Sequence, residues 1–407
     1  MSVLASDLRS DLRVMGLVGS AHAASHFFHL TLPPLFPILK SEFGVSYSAL
    51  ALTTTLFYGV SGIAQTIAGV LVDRFGARKV LLSGLSLLCC SVIGYGLISE
   101  FWMLLLFSVF AGLGNSVFHP ADLSILTSKI KPKRLGKAYG VHALSGNIGW
   151  AAAPVFVVTI AHFFDWRMAV VAAGLLGLIV TVFFIIYAKD LRDSENVAIK
   201  PTAQTTQRLG TLHTNIKLLF SPTILSCFFF FALLAAALIG VQSFGVSAIR
   251  DLYNIDLQNA TAGLTAFLLF SALGILVGGI LADKTDRHDI IAIIGVILAG
   301  LILLSIGSQN IPVSAIIAFL ALSGFFSGAT APSRDMLVKK ATPSGATGRI
   351  FGFVYSGLDL GSSLMPLILG WLMDIGRAHY VFYACAIMLF ATTFTVANVK
   401  KRSQRFC

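Results

Sequence analysis

Long apolar runs, each separated from the next by a short polar segment, follow one another along the whole chain. Twelve runs are long enough to cross a hydrocarbon core of about 30 Å, which takes roughly 20 helical residues. They lie at 14–39, 46–72, 79–98, 101–126, 138–162 and 167–188, and then at 216–247, 257–282, 289–306, 312–338, 347–375 and 379–399. The pattern predicts an all-α membrane protein of twelve transmembrane helices in two groups of six.

The amino-acid composition supports a membrane protein and argues against a soluble globular protein and against a disordered chain. Only 12% of the 407 residues are charged and 56% are hydrophobic, whereas about 25% of residues are charged in soluble globular proteins. A disordered chain combines low hydrophobicity with high net charge. The one long polar stretch predicts a solvated linker between the two groups. The chain therefore divides into the bundle 1–188, the cytoplasmic linker 189–215 and the bundle 216–407, which ends in a short basic tail.

The basic residues, which give a net charge of +11, are distributed unevenly between the loops. Lysine and arginine are retained on the cytoplasmic side of membranes, so their positions report orientation and not nucleic-acid binding. With the N-terminus in the cytoplasm, the opposite side keeps only Lys40, Arg167, Arg250 and Arg377. We therefore expect a multi-pass protein of the bacterial inner membrane with both termini in the cytoplasm.

Glycine and proline recur at matching positions in the two groups of runs. The matched pairs, at an offset of 212 residues, are Gly112 and Gly324, Pro120 and Pro332, Gly136 and Gly348, Gly140 and Gly352, Gly149 and Gly361, and Pro154 and Pro366. Coincidence at one offset is the signature of a duplicated unit, and membrane transporters are built from such repeats around a site near the bilayer midplane. The repeat predicts two pseudo-symmetric six-helix bundles.

The loop after the second run carries a recognisable motif, made by Gly69, Asp73, Arg74, Gly76, Arg78 and Lys79. It resembles the G-x-x-x-D-R-x-G-x-R-K signature of the major facilitator superfamily. The resemblance implies a twelve-helix transporter in which this loop has a conformational role and no substrate contact. By its chemistry, Gly69 permits close helix approach, Asp73 is suited to cap a neighbouring helix N-terminus, and the basic residues anchor at the membrane interface.

A narrower resemblance lies in the fourth and fifth runs. The stretch from Gly112 to Pro120, GLGNSVFHP, is similar to the G-x-G-x-S-V-F-H-P sequence of the fosmidomycin-resistance branch of that superfamily. The residues from Gly146 to Pro154 resemble the same branch's G-N-x-G-x-x-x-x-P. This branch consists of small-molecule exporters, so the resemblance implies drug-type efflux.

Two runs carry three polar residues each at helical spacing: His22, His26 and His29 in the first, and Asn115, His119 and Asp122 in the fourth. The three histidines lie within about 60° of one another on one helix face. The first and fourth helices correspond in an architecture of inverted three-helix units, so both stripes should face a central cavity. The remaining residues assigned to this substrate and proton cavity are His142, Asn147, Gln242, Arg334, Tyr355 and Asp359.

These assignments have alternatives. Imidazoles in a membrane also hydrogen-bond neighbouring helices, and His119 is equally suited to satisfying backbone groups that Pro120 frees. A zinc site on the histidine stripe lacks an H-E-x-x-H pattern and a cysteine partner, so no metal or cofactor is assigned. Arg334 either takes part in a gate or contacts the substrate, or its side chain extends toward the cytoplasmic membrane interface near Lys339.

The pattern predicts a secondary active transporter of small organic solutes that works by alternating access, with proton-coupled efflux preferred. The alternative is a proton-coupled importer of a small organic anion or metabolite, attracted by Arg334. No nucleophile with its base and no nucleotide-binding loop is recognisable, which argues against an enzyme and against ATP coupling. The expected partners are the substrate, protons and membrane lipid, without nucleic acid, and the protein is expected to be a monomer.

Two hypotheses concern the transport cycle. The histidines of the first run are expected to carry coupling protons with Asp122 as a relay, because the unperturbed histidine pKa of about 6.5 is near the pH on either side of a bacterial inner membrane. Asp359 is the rival proton carrier. In addition, Asp122 and Arg334 occupy equivalent repeat positions and are expected to approach each other when the cytoplasmic side closes.

Overall fold

The computed structural model describes residues 2–187, 219–342 and 347–403. The predicted linker and the last four residues of the basic tail lie outside this part of the chain. The helices of the first half are α1 (Ser2–His29), α2 (Phe36–Phe43), α3 (Tyr47–Phe75), α4 (Ala77–Gly96), α5 (Phe101–Asn115), α6 (Phe118–Lys129), α7 (Pro132–Phe163) and α8 (Trp166–Tyr187). Those of the second half are α9 (Pro222–Tyr253), α10 (Leu257–Asp283), α11 (His288–Gly307), α12 (Ile316–Ala329), α13 (Ala331–Ala341), α14 (Thr347–Asp374) and α15 (His379–Ser403).

The membrane-spanning pattern is confirmed. Within the described ranges, 11 helical segments are long and apolar enough to cross a bilayer, with α5 and α6 counted as one span and α12 and α13 as another. α1, which carries the histidine stripe, is the remaining helix of the predicted set. The described residues form α-helices and short 3₁₀ turns and contain no strand. The protein is therefore an all-α, multi-pass membrane protein.

Three predicted spans differ from the structure for a reason that involves proline. The first span ends at His29 and not at residue 39, because Pro33 and Pro34 lack the N–H groups that would continue the helix and lead instead into a 3₁₀ turn and α2. The fourth and tenth spans are each interrupted. α6 begins two residues before Pro120, and α13 begins one residue before Pro332.

The internal repeat is visible in helix packing. A Cβ added at Gly149 of α7 would collide with the carbonyl oxygen of Ala23 in α1. The matched Gly361 of α14 stands against the carbonyl oxygen of Ala232 in α9 in the same way. Both helices also contain the matched internal proline five residues later. The same close approach in each half confirms two pseudo-symmetric bundles.

The two halves meet along two seams, α3 against α14 and α7 against α10. We call the end of the bundle that carries Tyr47 and Asp374 the far end. There the Asp374 carboxylate accepts hydrogen bonds from the N–H groups of Tyr47 at 2.7 Å and Ser48 at 2.9 Å. Thr55 Oγ1 donates to the Ser363 carbonyl at 2.7 Å further along the same seam. The far end is therefore closed.

The opposite end, which we call the basic end, carries Arg74, Arg78, Lys79, Lys129 and Lys131. In the helices that form the seams, five glycines near this end have no atom within 4 Å of an added Cβ: Gly69 in α3, Gly136 and Gly140 in α7, Gly279 in α10 and Gly352 in α14. Gly69 and Gly352 each lie seven residues from the packed pair Gly62 and Asp359, and so on the same helix faces. The seam between α3 and α14 is therefore parted at the basic end. The close helix approach expected at Gly69 is not present in this conformation.

Candidate functional site

Five of the nine histidines gather in the first half. The ring centroid of His22 lies 4.3 Å from that of His26, 5.7 Å from His119 and 3.6 Å from His142, with the last pair stacked. His26 is in turn 4.9 Å from His29. The stripes expected on the first and fourth spans thus converge, and α7 joins them through His142, which the sequence analysis had assigned to the cavity without placing it beside His22.

Asp122 lies at the centre of this group and is fully buried. Its Oδ2 atom is 3.0 Å from His142 Nε2 and 3.2 Å from His22 Nδ1. These two histidines are the ion-pair partners of Asp122 in the described part of the chain. A carboxylate inside a membrane protein is costly unless it is compensated by a cation, a proton or hydrogen bonds. The site therefore combines two imidazoles with one strongly desolvated carboxylate.

His29 is held by partners on three other helices. The indole N–H of Trp150 donates to His29 Nδ1 at 3.2 Å, and the Tyr58 hydroxyl lies 3.2 Å from the same atom. Because an indole nitrogen can only donate, Nδ1 must carry a lone pair. His29 Nε2 then donates to Asn115 Oδ1 at 3.0 Å. This arrangement requires the neutral tautomer with its proton on Nε2.

Asn115 connects three helices of the first half. Its Oδ1 atom also accepts a hydrogen bond from Ser25 Oγ at 2.7 Å, and its Nδ2 group donates to Ser61 Oγ at 2.9 Å. α1, α3 and α5 are therefore fastened by one side-chain amide. Its hydrogen bonds are made to protein groups, so in this conformation it has a structural role beside the cavity.

Gly146 explains part of the motif in the fifth span. A Cβ at this position would lie 2.6 Å from His26 Nδ1 and 3.0 Å from His22 Nε2. α7 thus presents its bare backbone to the imidazoles of α1. Asn147, the next residue, turns away and donates to the carbonyl of Ala143 in its own helix at 2.9 Å.

The predicted cavity residues Arg334, Tyr355 and Gln242 of the second half are less closely grouped than the histidines of the first half. Arg334 pairs with Asp335, Nε to Oδ1 at 3.0 Å, and its guanidinium lies 4.5 Å from the centre of the Phe231 ring. Tyr355 contacts the same ring at a centroid distance of 4.9 Å. Gln242 is buried on α9, and its Oε1 has no hydrogen-bond partner in the described residues. Arg334 and Asp122 each pair within their own half here, so their approach on closure stays a prediction.

Asp359 lies on the seam between the halves. Its Cβ is 2.8 Å from the position that a Cβ of Gly62 in α3 would occupy, so only glycine fits opposite it. The side chain is half-buried and makes no hydrogen bond or ion pair among the described residues, and its electrostatic neighbour is the Tyr58 side chain of α3. Asp359 is thus a carboxylate whose surroundings change when α3 and α14 separate.

The signature loop makes a one-residue turn at the basic end. Gly76 has φ 88°, a backbone conformation that favours glycine, and it separates α3 from α4. Asp73, Arg74 and Lys79 are exposed. Asp73 forms no hydrogen bond or ion pair in the described chain, so the helix capping that its chemistry permits is not made in this conformation.

Two aromatic residues of the site were missed by sequence reasoning. Trp150 and Tyr58 both reach His29, yet neither stands out in an apolar run. A signal was present for Trp150, because His142, Gly146 and Trp150 recur every four residues and so share one face of α7. No comparable pattern marks Tyr58.

The two pseudo-symmetric bundles surround buried polar groups, and the seam between α3 and α14 is closed at one end and parted at the other. This arrangement is that of a polytopic membrane transporter built from repeats. The family model of the Major Facilitator Superfamily matches residues 18–256 and 228–404. The chain belongs to this superfamily, and it is a transporter and not an enzyme.

The individual proteins that the chain resembles share about a quarter of their residues with it, or fewer. The chain is 25% identical to the fosmidomycin resistance protein of Escherichia coli (strain K12) over 385 residues, which cover 93% of this chain and 91% of that protein. It is 24% identical to the membrane sensor protein UhpC of Escherichia coli (strain K12) over 377 residues, 87% of this chain and 84% of that protein. A crystal structure of a bacterial homologue of the human lysosomal transporter Spinster, inward-facing and occupied, superposes with a TM-score of 0.74 at 14% identity, covering 96% and 95% of the two chains.

Proposed function

We propose that the protein is a proton-coupled exporter of small organic solutes and that Asp359 binds the coupling proton. The observation that carries this proposal is the position of Asp359 on the seam between the halves, opposite Gly62 and without a hydrogen-bond or ion-pair partner in the described chain. Similarity to a protein named for drug resistance supports the direction of transport.

The seam position provides the coupling. While α3 and α14 are packed together, an ionised carboxylate at residue 359 is desolvated at a cost of a few kcal/mol, and a bound proton removes that cost. When the seam opens, water reaches the side chain and the proton can leave. Protonation therefore favours closure of the seam at this level, and an alternating cycle moves the proton from one side of the membrane to the other.

His29 is a weaker candidate for this role. Protonating its Nδ1 would require the Trp150 N–H to give up its acceptor, because two donors cannot share one bond. Asp359 needs no such rearrangement. The assignment of the proton to the first-span histidines stays a prediction, and the experiment below tests it in parallel.

Import of an organic anion has less support. It depends on an available positive charge at Arg334, but Asp335 pairs with the Arg334 guanidinium in the same helix. We further propose that the transporter lies in the bacterial inner membrane with both termini in the cytoplasm, because the lysine and arginine residues are concentrated on that side. We also propose that it is a monomer, as transporters of this superfamily typically are.

The test uses the full chain in everted membrane vesicles that carry a pH gradient reported by a fluorescent dye. Candidate compounds are added singly, starting with fosmidomycin and continuing with a panel of amphipathic drugs. A proton-coupled exporter should dissipate the gradient when its substrate is added. Asp359→Asn, which mimics the protonated side chain, should abolish this response and still exchange labelled for unlabelled substrate.

Two controls make the result decisive. Asp256→Asn alters an exposed carboxylate that caps its own helix through the Asn259 N–H, and it should respond as the wild type does. His22→Gln, His26→Gln and His29→Gln are measured in the same assay. If Asp359→Asn keeps a normal pH response while a histidine variant loses it, the proton belongs to the histidines. Substrate exchange in the wild type without any pH response would exclude proton coupling.

A further inference from the structure

Three atoms suited to bind a metal converge from three helices of the first half. They are His22 Nδ1 on α1, Asp122 Oδ2 on α6 and His142 Nε2 on α7, and they lie within 4.8 Å of one another. The side chains are 3%, 0% and 10% exposed, respectively. Helix packing and not a flexible loop therefore sets the spacing of these atoms.

The group has buried polar atoms without partners. Asp122 Oδ1 has no hydrogen-bond partner among the described residues, and His22 Nδ1 makes no hydrogen bond although it is 3.2 Å from Asp122 Oδ2. Buried polar atoms are normally satisfied, so unpartnered atoms on adjacent side chains need an explanation. A cation between the carboxylate and the two imidazoles would accept electron pairs from all three groups and would give His22 Nδ1 a partner. Asp122 Oδ1 would gain one if the carboxylate bound the ion through both oxygens.

The spacing and the donor types fit zinc. Zn²⁺ binds imidazole nitrogen and carboxylate oxygen at about 2.0–2.2 Å in tetrahedral geometry, which places neighbouring ligand atoms roughly 3.3–3.5 Å apart. The observed distances of 3.0 and 3.2 Å from Asp122 Oδ2 require only a small expansion, but the stacked rings of His22 and His142, whose centroids are 3.6 Å apart, must rotate away from each other for both lone pairs to point at one ion. The set has no thiolate, and hard cations such as Mg²⁺ prefer oxygen ligands, so two imidazoles and one carboxylate favour a divalent transition metal. Zn²⁺ is the one proposed here, because it binds two histidines and one carboxylate with a water as fourth ligand in known sites.

Neighbouring histidines indicate how the ion would enter. His119, with its ring 5.7 Å from that of His22, is exposed and so marks the accessible side of the group. A water molecule on that side would complete four ligands. His29 is excluded as a ligand because Trp150 and Asn115 occupy its two ring nitrogens.

We propose that the protein binds one Zn²⁺ ion through His22, Asp122 and His142. The site lies wholly in the first half and joins α1, α6 and α7. It goes beyond proton-coupled transport. Because Zn²⁺ and a proton compete for His22 and Asp122, bound Zn²⁺ is compatible with Asp359 as the proton carrier but not with these two residues.

The first experiment needs no variant. Full-length protein, purified in detergent without a polyhistidine tag and treated with chelator, is titrated with ZnCl₂ by calorimetry. We expect one equivalent bound per chain, and a raised unfolding temperature, because an ion that binds only the folded state stabilises it. X-ray absorption at the zinc edge should show nitrogen and oxygen ligands with two imidazoles. Binding below one equivalent, sulfur ligation or a site without imidazole would overturn the proposal.

Variants then locate the ion. His22→Gln, Asp122→Asn and His142→Gln should each weaken Zn²⁺ binding by more than about 100-fold, since outer-shell changes alone cost roughly 10–100-fold. His162→Gln, at an exposed histidine near the end of α7, is the matched control and should bind as the wild type does. Each variant is accepted only if it elutes as a single species and unfolds cooperatively. Wild-type affinity in folded Asp122→Asn would place the ion elsewhere and reject this site.

Discussion

Asp374 and Ser48 join the two halves at the far end, where the carboxylate accepts hydrogen bonds from the Ser48 N–H at 2.9 Å and from Ser48 Oγ at 2.6 Å. Together with the Tyr47 N–H, these donors belong to the first turn of α3, whose N–H groups have no acceptor within the helix. A negative charge at this position also interacts favourably with the helix dipole. We call this contact the far-end clamp.

Asp374→Ala should destabilise the closed far end by about 1 kcal/mol, the typical loss for removing a helix N-terminal acceptor, which is about a fivefold change in the ratio of closed to open molecules. The measurement is the distance distribution between spin labels at Ser41 and Ile375, both exposed at this end. The distribution should gain a longer component. Asp256→Ala removes an acceptor that caps α10 within one half, and it should leave the distribution unchanged.

Gly62→Leu and Gly69→Leu should bias the conformation in opposite directions, although both lie on α3. The side chain at 62 would collide with Asp359 in the packed part of the seam, so the far end should open. The side chain at 69 meets open space now but would obstruct the seam when the basic end closes. Labels at Phe75 and Lys340 report the basic end, and labels at Ser41 and Ile375 report the far end. Equal effects of the two substitutions would contradict this account of the seam.

His29 should be neutral, with its proton on Nε2, in the conformation described here. Nitrogen-15 magnetic resonance of histidine-labelled protein at neutral pH distinguishes this tautomer from the Nδ1-protonated and cationic forms. Trp150→Phe removes the donor that imposes the tautomer and should cost about 1 kcal/mol of unfolding free energy. A cationic His29 signal in the wild type would show that the hydrogen-bond directions inferred here are wrong.

Gly146→Ala should disturb the imidazoles of His22 and His26, because the added Cβ would lie 3.0 Å or less from each ring. Forcing a methyl group into a packed contact costs about 1–3 kcal/mol, so thermal unfolding should shift downward. Gly140→Ala, in the same helix but facing open space, is the matched control and should be neutral or slightly stabilising. Equal unfolding temperatures for both variants would mean that α7 does not press on the histidines.

Helical periodicity was sufficient to place the spans and to put His22, His26 and His29 on one face. It could not place His142 beside His22, because periodicity fixes which residues share a face of one helix and not how two helices are rotated and shifted against each other. That relation depends on small residues such as Gly146 and Gly149, where backbones come close.

The far-end clamp shows a second limit of sequence reasoning. Asp374 and Ser48 are 326 positions apart, and one partner group is a backbone N–H that every residue except proline possesses. Gly69 shows a third limit. The motif predicts a close helix approach at Gly69, where the structure has open space, and a static sequence pattern does not say at which stage of a conformational cycle such an approach is made.

The two sides of the far-end clamp differ in their sensitivity to mutation. One side of the contact is a single carboxylate, and much of the other side is peptide backbone at Tyr47 and Ser48. In a saturation screen, nearly every substitution at 374 should therefore lose the contact, whereas at 48 most side chains retain the N–H bond and only proline removes it. Evolutionary retention of the far-end clamp therefore depends chiefly on the codon for residue 374. Most substitutions at residues 47 and 48 would keep the backbone contact and so would be nearly neutral.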